Sequence, residues 1–98
     1  MTCQEGIVRI YDECIAEIFE GEELSEDEKL DFELVREAII TNLIKDITSK
    51  EDEEFFLSNI DLYKQFIMAM ITDDKRGMKI TLIELLKLKR IGTTIAQQ

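Results

Sequence analysis

Proline is absent from the chain, and glycine falls at only four positions, 6, 21, 77 and 92. Proline fixes φ and removes a backbone donor, while glycine supplies the left-handed conformations that tight turns need. A sequence poor in both has few places to reverse sharply. It favours long helices with short connections over a turn-rich β fold. Apolar residues make up 45% and charged residues 35% of the 98 positions, a mixture that suits one globular domain and is too rich in Ile, Leu and Phe for a disordered segment.

Apolar spacing predicts four helices, over residues 4–20, 26–47, 50–72 and 80–91. In the first, Ile7, Tyr11, Cys14, Ile15 and Ile18 recur at three- and four-residue steps, Val8 and Phe19 widen the stripe, and Gly21 is placed to stop it. The second opens on Ser25-Glu26-Asp27-Glu28, the pattern of a capping box. Its apolar face is expected to be Leu30, Leu34, Val35, Ala38, Ile39, Leu43 and Ile47. Thr48 or Ser49 then caps a third helix whose first turn holds Glu51 to Glu54. One continuous helix to residue 72 is expected there, in preference to a restart at Ser58-Asn59-Ile60-Asp61. Within it, the run from Phe66 to Ile71 is apolar all round, which places it at the centre of a core or of an oligomer interface. Asp73 to Gly77 reads as a polar connector. The last helix is expected from Ile80, with Thr81 and Glu84 at capping-box spacing, Gly92 as its stop and residues 93–98 as a frayed tail. The expected fold is a single acidic all-α domain over residues 1–98, a small four-helix bundle with up-down antiparallel topology, orthogonal packing being the alternative.

Several function classes find no residues to support them. Histidine is absent and the only cysteines are Cys3 and Cys14, whereas a closed zinc site needs four ligands at tight spacings. Cys14 reads as a buried small hydrophobe and Cys3 as a free thiol near the terminus, with no disulfide between them. No apolar run approaches the roughly 20 residues of a membrane span, and no basic start leads into an apolar stretch as in a signal peptide. A cytoplasmic protein is expected, of a cell or of a virus within one, with no role at a membrane. There is no glycine-rich phosphate loop, no Gly-x-Ser-x-Gly turn and no EF-hand loop. Carboxylates remain. Glu13 with Glu17, and Glu33 with Glu37, have the spacing to hold magnesium around phosphates, as in all-α nucleotide hydrolases. The Glu-x-x-acid motifs of such enzymes sit far apart, whereas Glu20-x-x-Glu23 and Glu28-x-x-Asp31 crowd around one turn. A non-enzymatic protein without metal or cofactor is therefore expected, with a magnesium-dependent phosphohydrolase as the reading from another class.

Charge is the feature that speaks most directly to function. The net charge is −10, but Met1–Asp74 carries 21 acids against 6 bases, a balance of −15, and Lys75–Gln98 carries one acid against six bases, a balance of +5. The helix dipole accounts for acids at helix starts. It does not account for an excess that adds self-repulsion. The pattern reads as an acidic helical face that docks on a basic surface of a partner protein, in a regulatory or inhibitory role. The candidate contact residues are Glu22, Glu23, Glu26, Asp27, Asp31, Phe32, Glu51, Asp52 and Glu54, with Phe32 as an exposed aromatic anchor between Asp31 and Glu33. The alternative within binding is a nucleic-acid mimic whose carboxylates stand in for phosphates and block a DNA- or RNA-binding protein. Direct contact of nucleic acid with this face is disfavoured by repulsion. The basic C-terminal helix is expected to pair with the acidic face of its own chain or of a second copy, and a homo-oligomer is expected.

Overall fold

The computed structural model describes residues 2–97, with side chains described for residues 2–90. Among these residues the chain is all-α, with five helices and no strand: α1 (Cys3–Phe19), α2 (Glu26–Asp46), α3 (Lys50–Ser58), α4 (Ile60–Ile71) and α5 (Lys75–Gln97). They form two compact units, α1–α3 in one and α4–α5 in the other, divided between Ser58 and Asn59.

In the first unit, α1 starts at Thr2, whose hydroxyl oxygen accepts from the Glu5 N–H at 3.1 Å. Cys3, Ile7, Ile10, Tyr11 and Cys14 fall on one stripe at helical spacing and are all buried. The helix ends on two residues with positive φ, Glu20 (49°) and Gly21 (82°), and the Glu22 N–H returns to the Phe19 carbonyl at 2.9 Å. Gly21 stops α1 as expected, because only glycine takes the second left-handed position without strain. The short connection then returns the chain antiparallel along α1. Ser25 and Glu28 form the expected capping box: the Ser25 oxygen accepts from the Glu28 N–H at 3.2 Å, and the Glu28 carboxylate accepts from the Ser25 N–H at 3.3 Å.

The buried face of α2 differs from the expected one. Leu30, Leu34, Val35 and Ala38 point to solvent. The inward residues are Ile39 and Ile40, buried, with Phe32, Arg36, Leu43, Ile44 and Ile47 half-buried. Apolar residues lie on both sides of this helix, so periodicity alone allows two faces. Packing against α1 selects the one that carries Phe32. Ser49 caps α3, accepting from the Asp52 N–H at 3.1 Å, while the Asp52 carboxylate accepts from the Thr48 and Ser49 N–H groups at 3.4 and 3.3 Å. Phe56 of α3 is completely buried, and the Cys3 thiol donates to the Glu53 carbonyl at 3.9 Å. Both cysteines are free thiols, and both are buried. Burial pushes the Cys3 thiol above its ordinary pKa, with a smaller contribution from the Glu53 carboxylate.

The single helix expected over residues 50–72 is broken at Asn59. Its φ of −121° and ψ of 31° leave the helical region, and its carbonyl accepts from both the Leu62 and Tyr63 N–H groups to begin α4. Apolar spacing continues across the break, which is why it was not expected. Within α4 no residue from Phe66 to Ile71 is exposed, and Ile67 and Ala69 are buried. After Thr72, Asp73 takes a left-handed φ of 55° and the Asp74 N–H bonds the Ala69 carbonyl at 2.8 Å.

Asp74 also starts the next helix. Its carboxylate accepts from the Gly77 N–H at 2.9 Å and its carbonyl from the Met78 N–H at 3.0 Å. Helix α5 therefore begins at Lys75 rather than Ile80, and the expected polar connector is its cap and first turn. Thr81 is not a cap. It is buried in mid-helix, where its hydroxyl donates to the Gly77 carbonyl at 2.8 Å and so needs no other partner. Gly77 suits close packing: a Cβ there would fall 2.5 Å from the Asp74 carboxylate and 3.3 Å from the Ala69 Cβ. Gly92 does not stop α5, which runs on to Gln97. A glycine inside a helix costs only about 1 kcal/mol relative to alanine. The side chain of Ile91 and residue Gln98 lie outside the described residues.

The division between units is also a division of charge. Met1–Ser58 holds 18 acids and 5 bases, a balance of −13, and Asn59–Gln98 holds 4 acids and 7 bases, a balance of +3.

Two outcomes follow. Asp74→Ala should lower stability by about 1 kcal/mol through loss of the cap, and Gly77→Ala should be better tolerated in that background than alone, because the carboxylate it displaces is gone. Urea unfolding of the double-mutant cycle reads the coupling, and additive effects would contradict it. Ile67→Ala should cost about 2–5 kcal/mol, and Ile67→Asp should abolish the cooperative unfolding transition followed by circular dichroism.

Candidate docking surface

The residues expected to meet a partner fall into two patches. Glu22 and Glu23 lie in the α1–α2 connection, and Glu26, Asp27 and Asp31 in the first two turns of α2, all exposed. Glu51 and Glu54 are exposed at the start of α3. Between the patches runs the length of α2, 21 residues, which at 1.5 Å per residue separates them by about 30 Å. They do not form one face. Some of these acids also serve local structure. Asp52 is half-buried and holds the α3 cap. Glu26 reaches 3.7 Å from the Lys29 ammonium, an exposed pair of little energetic weight.

Phe32 is not the exposed anchor that its acidic neighbours suggested. It is half-buried, and its ring meets Phe19 edge-on with centroids 5.2 Å apart and planes at 65°. Its carbonyl accepts from the Tyr11 hydroxyl at 2.7 Å, which ties α1 to α2 at this level. Burial raises the Tyr11 pKa above its ordinary value; the Arg36 guanidinium opposes that shift and the Asp12 carboxylate adds to it.

Around Phe32 the two helices leave an open cleft of about 150 Å³. Tyr11, Ile15, Leu24 and Phe32 supply its apolar lining, and Asp12, Lys29, Glu33 and Arg36 its charged rim. Arg36 reaches Asp12 at 3.5 Å through one terminal nitrogen, while its Nε is buried without a hydrogen-bond acceptor. The cleft is too small for a cofactor, since ligand pockets usually begin near 300 Å³. Its volume is on the order of a single apolar side chain's. Sequence reasoning missed it because its walls come from two helices and a loop. The available signal was Leu24, a lone leucine in an otherwise acidic stretch from Glu20 to Glu28.

The carboxylate pairs considered for magnesium do not gather. Among the described residues, no three Cys, Asp or Glu side chains converge as a metal site would require. Glu13 lies 3.7 Å from Arg9 on its own helix, and Glu33 lies at the cleft. No helix among these residues is long and apolar enough to cross a membrane. Compared with known proteins, the chain matches no family model, and neither a curated protein nor a solved structure is detectably similar to it.

Tyr11 gives a test with a defined sign. The native state holds its phenol proton to higher pH than the unfolded chain does. The associated stability is complete below the unfolded pKa, near 10, and is lost as pH rises through the higher native value. Tyr11→Phe should cost about 1 kcal/mol at neutral pH and show a shallower decline between pH 9 and 11. Urea unfolding across that range measures both; an unchanged alkaline slope would count against the buried phenol.

Proposed function

We propose that this chain is a non-enzymatic regulatory or inhibitory protein of the cytoplasm that binds a basic surface of a partner protein. The observation that carries this reading is the apolar cleft beside Phe32 with exposed acids next to it. Leu24, which lines the cleft, is preceded by Glu22 and Glu23 and followed closely by Glu26 and Asp27. A partner that places one apolar side chain in the cleft and lysines or arginines against the acids on either side of Leu24 satisfies both features at once. The acids then steer the approach, and the cleft sets the register. The Glu51–Glu54 patch, at the far end of α2, serves as a second, weaker contact on an extended partner. The 98 residues act in this reading as one domain, which requires a single cooperative unfolding transition.

The test is an affinity capture from the native host at low and high salt, followed by titration of the purified partner against variants. Reversal of Glu22, Glu23 and Glu26 to Lys should reduce affinity at least tenfold with circular dichroism unchanged, and Ile15→Glu at the cleft should do the same. Reversal of Glu51 and Glu54 should have a smaller effect. Undiminished affinity in the first variant would refute the reading. A partner that duplex DNA displaces would instead favour mimicry of nucleic acid.

A further inference from the structure

Helices α2 and α5 are the two longest, with 21 and 23 residues, and each turns apolar side chains to solvent. On α2 the row is Leu30 and Leu34, the latter 62% exposed. On α5 it is Ile80, Ile83 and Leu86, with Ile83 50% exposed. Scattered exposed leucines need no explanation. Rows on successive turns of both long helices do.

The charges beside the two rows are opposite. Leu30 and Leu34 lie one turn apart. Exposed Asp27 and Asp31 run along one side of them and exposed Glu37 along the other. On α5, exposed Lys79 and Lys87 sit one turn before and one turn after Ile83, and exposed Arg90 one turn after Leu86. At 1.5 Å per residue, Asp27 to Glu37 spans about 15 Å and Lys79 to Arg90 about 16 Å. On α2 the acids flank the apolar pair, whereas on α5 the bases alternate with the apolar residues along one stripe, with Glu84 the one acid beside it; the two strips are similar in length and opposite in sign.

We propose that these strips dock in trans, α2 of one copy along α5 of a second copy. Each copy offers both strips, one on each unit, so any copy can both give and receive the contact. The apolar rows cover one another and the flanking ions pair at the rim. A lipid surface or a nucleic acid would suit the α5 strip alone. Either would leave Leu30 and Leu34 uncovered and would draw a unit of charge −13 towards a polyanion. This inference does not depend on the partner reading above, since it concerns the purified chain by itself.

Sedimentation of the full chain across concentration and ionic strength tests it. The wild type should form dimers that weaken as salt rises. Asp31→Lys with Glu37→Lys should weaken dimerisation about tenfold or more, and so should Lys87→Glu with Arg90→Glu, because each replaces attraction with repulsion where α2 meets α5. Mixing the two variants should restore a dimer of near wild-type strength, since each strip then meets its opposite charge in the other chain. Leu34→Asp and Ile83→Asp, both at exposed positions, should remain folded by circular dichroism and lose the dimer. A wild type that stays monomeric, variants that dimerise undiminished, or a mixture that stays monomeric would each overturn the proposal. So would a monomeric wild type that binds anionic phospholipid vesicles or duplex DNA through α5.

Discussion

Along α1, Ile7, Ile10, Tyr11 and Cys14 form a seam with almost no exposure, and the first unit is organised around covering it. Full burial of a large apolar side chain contributes about 1.5–3 kcal/mol, so this seam outweighs any single ion pair at the surface. Both α2 and α3 pack on α1. The Tyr11 hydroxyl fixes the level of α2 by donating to the Phe32 carbonyl, and Phe56 closes the seam from α3. The residues that join the two helices here, Tyr11 with Phe32 and Asp12 with Arg36, also line the cleft beside Phe32.

Helix ends set the second constraint, and they absorb part of the acidic excess. Glu28, Asp52 and Asp74 each accept from backbone N–H groups that would otherwise lack partners at a helix start. These carboxylates are structural. Other exposed acids, among them Glu22, Glu23, Glu26, Asp27 and Asp31, carry no cap of this kind and form an acidic field at the start of α2. Capping and docking thus draw on the same residue types at neighbouring positions, and only the hydrogen bonds separate the two uses.

The acidic and basic units raise a further point about specificity. A chain with −13 on one unit and +3 on the other carries its own complementary surface. The proposed self-docking through α2 and α5 and the proposed capture of a basic partner beside α1 and α2 centre on different residues, Leu34 and Ile83 in one case and Leu24 and Phe32 in the other. The two proposed surfaces would share the acidic flank at Asp27 and Asp31.

Much of the local structure was legible in the sequence. The absence of proline, the capping box at Ser25 and Glu28, and the left-handed Gly21 depend on interactions within a few residues, and all three are found as read. The start of α5 was misplaced at Ile80, because Asp73 to Gly77 reads as a polar connector; the Asp74 cap and the close approach of Gly77 to Ala69 put it at Lys75. What the sequence did not determine is which face of α2 and α5 turns inward. Each helix carries apolar residues on two sides, and periodicity assigns them equal claim. That choice rests on contacts between helices, Phe32 with Tyr11 and Phe19 in one unit and Gly77 with Ala69 in the other. Composition and local spacing made the helices; packing across them decided that Phe32 is half-buried, that Leu34 and Ile83 face solvent, and where a cleft opens.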